Sequence, residues 1–189
     1  MRTKNYPRLD SQFIERWSPR AFLSDSISAE DTATLFEAAR WSPSCYNEQP
    51  WRFVYATQTQ DLEQFRSTLA ESNQVWANSA PLLVYLFSKK TFSHNNNPNR
   101  WADFDTGAAW MALSLQAHKQ GLYTHAMGGF DTDKAYAVTG VDSQEFNVVC
   151  AIAIGKRADA DSLPGKLQNM EIPNDRKLLE EVVFQSSMG

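Results

Sequence analysis

The chain has 189 residues, of which 42% are hydrophobic and 12% aromatic, and its formal net charge is -4 at pH 7. This composition is typical of a folded globular protein and excludes a disordered chain, and the length predicts a single domain over residues 1–189. Because the net charge is mildly negative, we expect no nucleic acid and no membrane surface as a partner, so any bound anion must be held by a local group of cations.

The first half of the chain predicts three helices and one strand. Ser28, followed by Asp31 at the spacing of a capping box, starts the second helix, and Pro43 ends it. The strand is rich in aromatic and β-branched residues. The predicted bounds are a helix over Asp10–Trp17, a helix from Ser28 to Pro43, a strand over Trp51–Thr57 and a helix over Gln60–Trp76.

The second half predicts two strands, two helices and a tail. The first of these helices has apolar side chains around nearly its whole circumference, which indicates burial in a core or between subunits. Gly121 ends this helix, whereas Asp131 and Gly140 cap the shorter one. The predicted bounds are a strand over Pro81–Ser88, helices over Asp105–Gln120 and Asp131–Thr139, a strand over Val148–Ile154 and a tail over Pro164–Gly189.

This order of elements predicts an α+β fold with one sheet covered by helices. Both strands of the second half are almost continuous apolar runs, so we expect them to be buried on both faces. The tail has few apolar residues before Leu178, so we expect it to lie along another surface.

Three segments carry groups suited to binding a ligand. Arg16, Ser18 and Arg20 alternate along a segment that Pro19 keeps extended, so two guanidinium groups and a hydroxyl would point to one side and suit a phosphate or another planar anion. A solvated basic surface is the alternative interpretation.

The second segment is a turn between two prolines, Pro43 and Pro50, in which Asn47 and Gln49 offer the donors and acceptors that the edge of a heterocycle requires. The third is the glycine pair 128–129, where the backbone could approach a ligand closely and direct its N–H groups at it. Ordinary turn chemistry is the alternative for both segments.

Several kinds of catalytic machinery are absent from the sequence. The chain has no dinucleotide-binding or phosphate-binding glycine motif, no nucleophilic serine motif and no metal-ligand spacing. We therefore expect no catalytic side chain and no metal, and this pattern indicates that the chemistry belongs to a bound cofactor.

Taken together and in order, these segments resemble the nitroreductase family of FMN-dependent oxidoreductases. The motifs that carry the resemblance are Arg16-Trp17-Ser18-Pro19-Arg20, Pro43-Ser44-x-x-Asn47-x-Gln49-Pro50, Asn73-x-x-Trp76, Asp105-x-Gly107, Met127-Gly128-Gly129 and Arg176-Lys177.

The resemblance implies a mixed or antiparallel central sheet flanked by helices and a C-terminal tail that extends over a partner subunit. It also implies a homodimer with FMN at its interface, NAD(P)H as the reductant, and ping-pong hydride transfer to a small acceptor such as a nitroaromatic, a quinone or an enal. A non-catalytic flavin carrier or sensor is the alternative function, and a structural protein that dimerises through helix 105–120 is a third.

The family pattern also implies a role for individual residues. Arg16, Ser18 and Arg176 would bind the phosphate, Arg20 the pyrimidine edge, Asn73 the polar edge of the ring, and the N–H groups of Gly128 and Gly129 its N5 and O4 atoms. Ser44 and Asn47 would reach the FMN of the partner subunit. The full set of expected cofactor-binding residues is Arg16, Trp17, Ser18, Arg20, Pro43, Ser44, Asn47, Gln49, Asn73, Met127, Gly128, Gly129 and Arg176, with Tyr46 and Trp101 as expected substrate-pocket residues.

The remaining features concern the cell compartment. Cys45 and Cys150 are too few for a disulfide framework and lie in apolar or aromatic surroundings, so we expect reduced thiols. The N-terminal segment has no apolar core of a signal peptide, and no apolar run approaches the roughly 20 residues of a membrane span. We therefore expect a cytoplasmic protein.

Overall fold

The structure is a computed structural model that describes residues 6–188. Its centre is a four-stranded sheet in the order β1-β2-β4-β3, in which all neighbouring strands are antiparallel. The strands are β1 Trp51–Ala56, β2 Leu82–Lys89, β3 Tyr123–Met127 and β4 Phe146–Gly155. The helices are α1 Gln12–Glu15, α2 Ala29–Arg40, α3 Thr59–Thr68, α4 Glu71–Ala77, α5 Ala102–Lys119, α6 Thr132–Thr139 and α7 Lys166–Asn169. The α+β class and the antiparallel sheet are therefore as predicted.

The sheet is covered on both faces, which explains the apolar run in β2. Leu83, Tyr85 and Phe87 pack on one face in a core with α3, α4 and α6. Leu82 and Leu86 point to the other face, where a second core includes residues of α2 and α5. Side chains alternate between the two faces of a strand, so both sets must be apolar when both faces are buried.

Helix α2 begins as predicted. The Ser28 hydroxyl oxygen accepts a hydrogen bond from the N–H of Asp31 at 2.9 Å, and the same hydroxyl donates to the Asp31 carboxylate at 2.7 Å. Asp131 caps α6 in the same way by accepting from the N–H of Lys134 at 3.0 Å. Gly140 ends α6 with a positive φ of 68°, a conformation that glycine adopts without strain.

Helix α5 has two apolar faces with different environments. Ala109, Leu113 and Ala117 are fully buried against α2 and the sheet. On the opposite side, Phe104 is 75% exposed and Met111 is half-buried. Within this chain, α5 is therefore buried on one side only, although the sequence predicts burial around its whole circumference. The other side, with Phe104 and Met111, is an apolar stripe at the surface.

The prediction of one helix over residues 60–76 is wrong. The chain leaves the helical conformation at Leu69, which pairs with Phe130 in an isolated β-bridge, and the N–H of Ala70 donates to the carbonyl of Gly129 at 3.0 Å. These contacts with a segment sixty residues later in the chain interrupt the local helical pattern and produce α3 and α4.

Two other predicted elements need correction. Helix α1 covers four residues rather than Asp10–Trp17, because the backbone becomes extended at Arg16. The sequence does not predict strand β3. Only Thr124 and Met127 of its five residues are buried, and their spacing differs from the every-second-residue burial that predicts a strand. Among the described residues, none of the helices combines the length and hydropathy that crossing a membrane would require.

Candidate functional site

A cavity of about 220 Å³ brings together five of the residues singled out from the sequence. Three of them, Arg16, Arg20 and Arg176, are arginines from opposite ends of the chain. The complete lining is Arg16, Trp17, Ser18, Arg20, His125, Met170, Ile172, Asn174 and Arg176. The charge and donors of three arginines and a serine suit an anion such as a phosphate. The Nη1 of Arg176 donates to the carbonyls of Asn174 and Asp175 at 3.2 and 3.0 Å.

The segment from Arg16 to Phe22 lies outside the helices and strands, with an extended backbone at Arg16 and a bend at Arg20, and its end is held by later residues. The carbonyl of Ala21 accepts from the N–H of Ala158 at 3.0 Å, and Phe22 pairs with Arg157 in a β-bridge. Trp17 is 7% exposed and lies under the guanidinium of Arg157, whose carbon is 5.4 Å from the centre of the indole ring. Trp17 is thus a buried part of the cavity lining.

His125 lines the cavity and is absent from the set expected from the sequence. Its Nδ1 lies 2.9 Å from the carbonyl of Pro19, and its ring centre is 4.5 Å from that of Trp76. A carbonyl can only accept, so Nδ1 carries the proton in this contact. Burial lowers the pKa of His125, and the charge of Arg20 lowers it further, so the ring is neutral beside the arginines.

The glycine pair directly follows β3, and Gly128 is three residues beyond His125. The Asn73 amide Nδ2 donates to the carbonyl of Gly129 at 2.9 Å, and a Cβ added to Gly129 would lie 2.8 Å from that nitrogen. A Cβ added to Gly128 would meet nothing within 4 Å, so the backbone is open there. The Met127 side chain is 3% exposed and belongs to the core.

The turn between Pro43 and Pro50 has an unusual backbone. Tyr46, Asn47 and Gln49 have φ values of 54°, 55° and 51°, a region that residues with a side chain occupy at a cost of about 1 kcal/mol or more each. Such strain persists only where surrounding contacts enforce it, and it is common at ligand-binding sites.

Four contacts enforce this backbone. Within the turn, the N–H of Gln49 donates to the Ser44 hydroxyl oxygen at 2.9 Å. The N–H of Cys45 donates to the buried carboxylate of Asp105, at the start of α5, at 3.0 Å. The Glu48 carboxylate accepts from both the N–H and the hydroxyl of Ser93. Burial alone would raise the pKa of Glu48, but the Ser93 hydrogen bonds lower it overall, so the turn is fixed by a charged carboxylate.

Exposed aromatic rings surround this turn. Tyr46 is 81% exposed, and its ring contacts Phe92 edge-on with 5.8 Å between the ring centres. Trp101 is 41% exposed and packs edge-on against Phe104 at 6.3 Å. Pro43 and Asn47 are exposed as well. The two expected substrate-pocket residues therefore lie on the surface near the start of α5.

Nine of the thirteen expected cofactor residues thus form two groups near opposite ends of α5, five at the cavity and four in the turn, whereas Asn73, Met127, Gly128 and Gly129 do not line the cavity. The turn is bonded to Asp105 in the first turn of this helix, whereas His118 in its last turn lies 3.6 Å from Glu15, the neighbour of Arg16 in the chain. A helix rises about 1.5 Å per residue, so these two anchor points are about 20 Å apart. The two groups cannot both surround the same end of one small ligand within one chain.

Another cavity, of about 480 Å³, lies between α2, β1 and α3. None of the site residues expected from the sequence lines it. In the part of the chain that the structure describes, no cluster of three or more His, Cys, Asp or Glu side chains is placed to hold a metal ion. The smaller, cationic cavity is therefore the candidate site.

Sequence patterns did not identify four residues of this cavity. They are His125, Met170, Ile172 and Asn174. His125 lies on the strand that the pattern does not predict, and the other three lie in the tail. A polar residue in a short run between the helix-ending Gly121 and the glycine pair is the signal that could have pointed to His125.

Comparison with known proteins gives a consistent result. The sequence model of the Nitroreductase family matches residues 14–75 and 59–156. A candidate NADH dehydrogenase/NAD(P)H nitroreductase of Ralstonia nicotianae is 28% identical over 167 residues, which cover 78% of this chain and 85% of that protein. An oxygen-insensitive NADPH nitroreductase of Helicobacter acinonychis is 26% identical over 166 residues, which cover 70% of this chain and 79% of that protein.

Among solved structures, an oxidoreductase described as containing FMN superposes with a TM-score of 0.94. It is 38% identical in sequence, and the match covers 100% of this chain and 96% of that one.

Proposed function

We propose, on the premise that this chain belongs to the nitroreductase family and is an FMN-dependent NAD(P)H oxidoreductase, that its electron acceptors are small electrophiles. Nitroaromatics, quinones and enals are the acceptor classes we propose, and the two substrates react in ping-pong order. The observation that carries the proposal is the cavity lined by Arg16, Arg20 and Arg176 together with His125 of β3, the strand that ends just before the glycine pair.

The residues present fit FMN in charge and in shape. A phosphate suits the three guanidinium groups and the Ser18 hydroxyl, because charge-assisted hydrogen bonds to arginine are strong and directional. The open backbone at Gly128 allows a flat ring to approach closely, and the Asn73 amide fixes the following peptide. Hydride transfer from NAD(P)H to the acceptor is the chemistry that FMN supplies when bound.

The side chains of this chain would bind and polarise rather than react. Arg20, whose backbone is fixed, would hold a positive charge beside the ring without rearrangement during turnover. The N–H groups of Gly128 and Gly129 would add two donors. His125 would stay neutral, so that the charge of the site comes from the arginines.

The homodimer is part of the same proposal. The strained turn with Ser44 and Asn47 is bonded to Asp105, which lies about 20 Å along α5 from His118, the residue that contacts Glu15 next to Arg16. We propose that this turn completes the site of the partner subunit, and that the apolar stripe of α5 with Phe104 and Met111 supplies the interface. The proposal explains why Tyr46 and Trp101 are exposed in one chain. In the dimer, these two residues would border the substrate pocket beside the partner's cofactor.

The first test is flavin binding and reduction. Purified protein incubated with FMN should acquire a visible flavin spectrum and should oxidise NADPH when a quinone is present. A protein that stays colourless after this incubation contradicts the proposal. Mixing the flavin-loaded protein with NADPH without oxygen in a stopped-flow instrument should bleach the flavin, whereas a carrier or sensor would keep it oxidised.

The arginine cavity is tested by substitution. Arg20→Ala removes one charge-assisted contact, which is worth about 1.5–3 kcal/mol, so the Kd for FMN should rise by about 10- to 100-fold. Lys134→Ala removes a charge from the surface of α6 and should leave the Kd unchanged. Fluorescence quenching of FMN on titration measures both values.

A further inference from the structure

The tail contains one deeply buried carboxylate. Glu171 is 4% exposed, and among the described residues 164–188 it alone is buried. Its Oε1 accepts from the N–H of Ala21 at 2.9 Å, and both of its oxygens accept from the N–H of Arg20, at 2.8 and 3.0 Å. A buried carboxylate is costly unless its oxygens are hydrogen-bonded, and here both are.

The Glu171 carboxylate binds the backbone N–H groups of Arg20 and Ala21, so it fixes the position of the backbone there. The carbonyl of Ala21 is bound from the other side by the N–H of Ala158. The backbone at Arg20 and Ala21 is therefore held on both edges, by the tail and by the segment after β4. Its position fixes the point from which the Arg20 side chain enters the cavity.

The same carboxylate fixes the tail. Met170 and Ile172, its neighbours on either side, line the cavity, and so do Asn174 and Arg176 a few residues later. Residues 172–188 are exposed, and the hydrogen bonds of the Arg176 guanidinium to the carbonyls of Asn174 and Asp175 stay within the tail, so Glu171 is the buried anchor nearest to Arg176. One side chain thus joins the two segments that supply the arginines.

We propose that Glu171 is a positioning residue that assembles the anion cavity before the cofactor arrives. It holds the backbone of Arg20 and the start of the tail at a fixed distance, so that Arg20 and Arg176 face the same space in the flavin-free protein. A preassembled site loses less conformational entropy when the ligand binds. The proposal rests on the proposed function only in taking FMN as the ligand of the cavity.

The first test needs no cofactor. Hydrogen exchange of the backbone amides of Arg20 and Ala21 in the flavin-free protein should be at least about tenfold faster in Glu171→Ala than in the original protein, because their acceptors are gone. Glu180→Ala, at an exposed position of the same tail, is the matched control and should exchange at the original rate. Unchanged exchange in Glu171→Ala overturns the proposal.

The second test measures affinity for FMN. Glu171→Ala should raise the Kd by about tenfold or more, and a further Arg176→Ala substitution should then have a smaller effect than it has in the original protein. Glu171→Gln keeps an Oε1 that can accept both shorter bonds, so it should recover most of the affinity. Full additivity of the two alanine substitutions, or a glutamine variant as weak as the alanine variant, overturns the positioning role.

The two proposals can fail separately. If the original protein does not bind FMN, the proposed function fails while the exchange experiment still tests the contact of Glu171 with Arg20 and Ala21. If Glu171→Ala does not fold, as judged by circular dichroism, Glu171→Gln decides. Because its Oε1 can still accept from the N–H groups of Arg20 and Ala21, this variant should keep near-original affinity for FMN and near-original exchange of both amides. Original affinity together with faster exchange, or lost affinity together with original exchange, would contradict the proposal.

Discussion

The neutral imidazole of His125 in a cavity with three arginines makes stability depend on pH. Its pKa in the folded protein is below the ordinary value of a histidine, chiefly because of burial, with Arg20 lowering it and Glu171 acting in the opposite direction. As pH falls through the pKa of the unfolded chain, the unfolded state takes up the proton first. Protonation of this group therefore favours unfolding in acid.

A substitution should remove this dependence. Between about pH 8 and about pH 5, the Tm of His125→Gln should fall less than that of the original protein, because glutamine does not titrate. His94→Gln, in an exposed loop, should follow the original protein. Parallel Tm curves for the original protein and His125→Gln would show that the histidine does not contribute.

Sequence reasoning at the level of residues succeeded where the chemistry is local. The alternation of Arg16, Ser18 and Arg20 on an extended segment predicts that they converge, and they line one cavity with Arg176. His125 and Glu171 were missed because their roles depend on backbone groups of Pro19, Arg20 and Ala21, more than a hundred residues earlier. No local pattern contains that information.

At the level of elements, the sequence predicts those helix ends that carry a side-chain cap. Ser28→Ala removes the hydroxyl that accepts from the N–H of Asp31, so it should lower the free energy of unfolding by about 1 kcal/mol. Ser26→Ala, in the loop before the helix, is the matched control and should leave that free energy unchanged. Urea unfolding of both variants measures the difference, and equal midpoints would rule out the cap contribution.

Elements defined by long-range pairing were the unpredictable part. Strand β3 is a strand because it pairs with β4, although its own residues do not alternate. The break between α3 and α4 exists because Leu69 and Ala70 pair with Phe130 and Gly129. Periodicity describes the faces of an element, and it carries no signal for a partner elsewhere in the chain.

At the level of the whole molecule, two variants of this chain with different substitutions should restore flavin binding in a mixed dimer if each site is formed by both subunits. Arg20→Ala damages the cavity and Asn47→Ala damages the turn, so a mixed dimer contains one site with neither substitution. Random mixing should therefore restore about a quarter of the sites to the original affinity. Flavin binding after the two variants are unfolded and refolded together gives the measurement, with each variant refolded alone as the control.

No recovery in the mixture would mean that the turn and the cavity of one chain serve the same site, or that the turn serves none. The predicted shared site would then be wrong, although the arginine cavity would still stand on its own contacts.

Helix α5 acts as a spacer of fixed length between the two halves of the proposed site. If the turn of one subunit completes the cavity of the other, as proposed, retention of the flavin and association of the subunits become a single equilibrium. Dilution below the concentration at which the subunits separate should release the bound flavin, and adding excess flavin should drive the subunits to reassociate. The amount of protein in the cell would then set the fraction that is able to carry electrons.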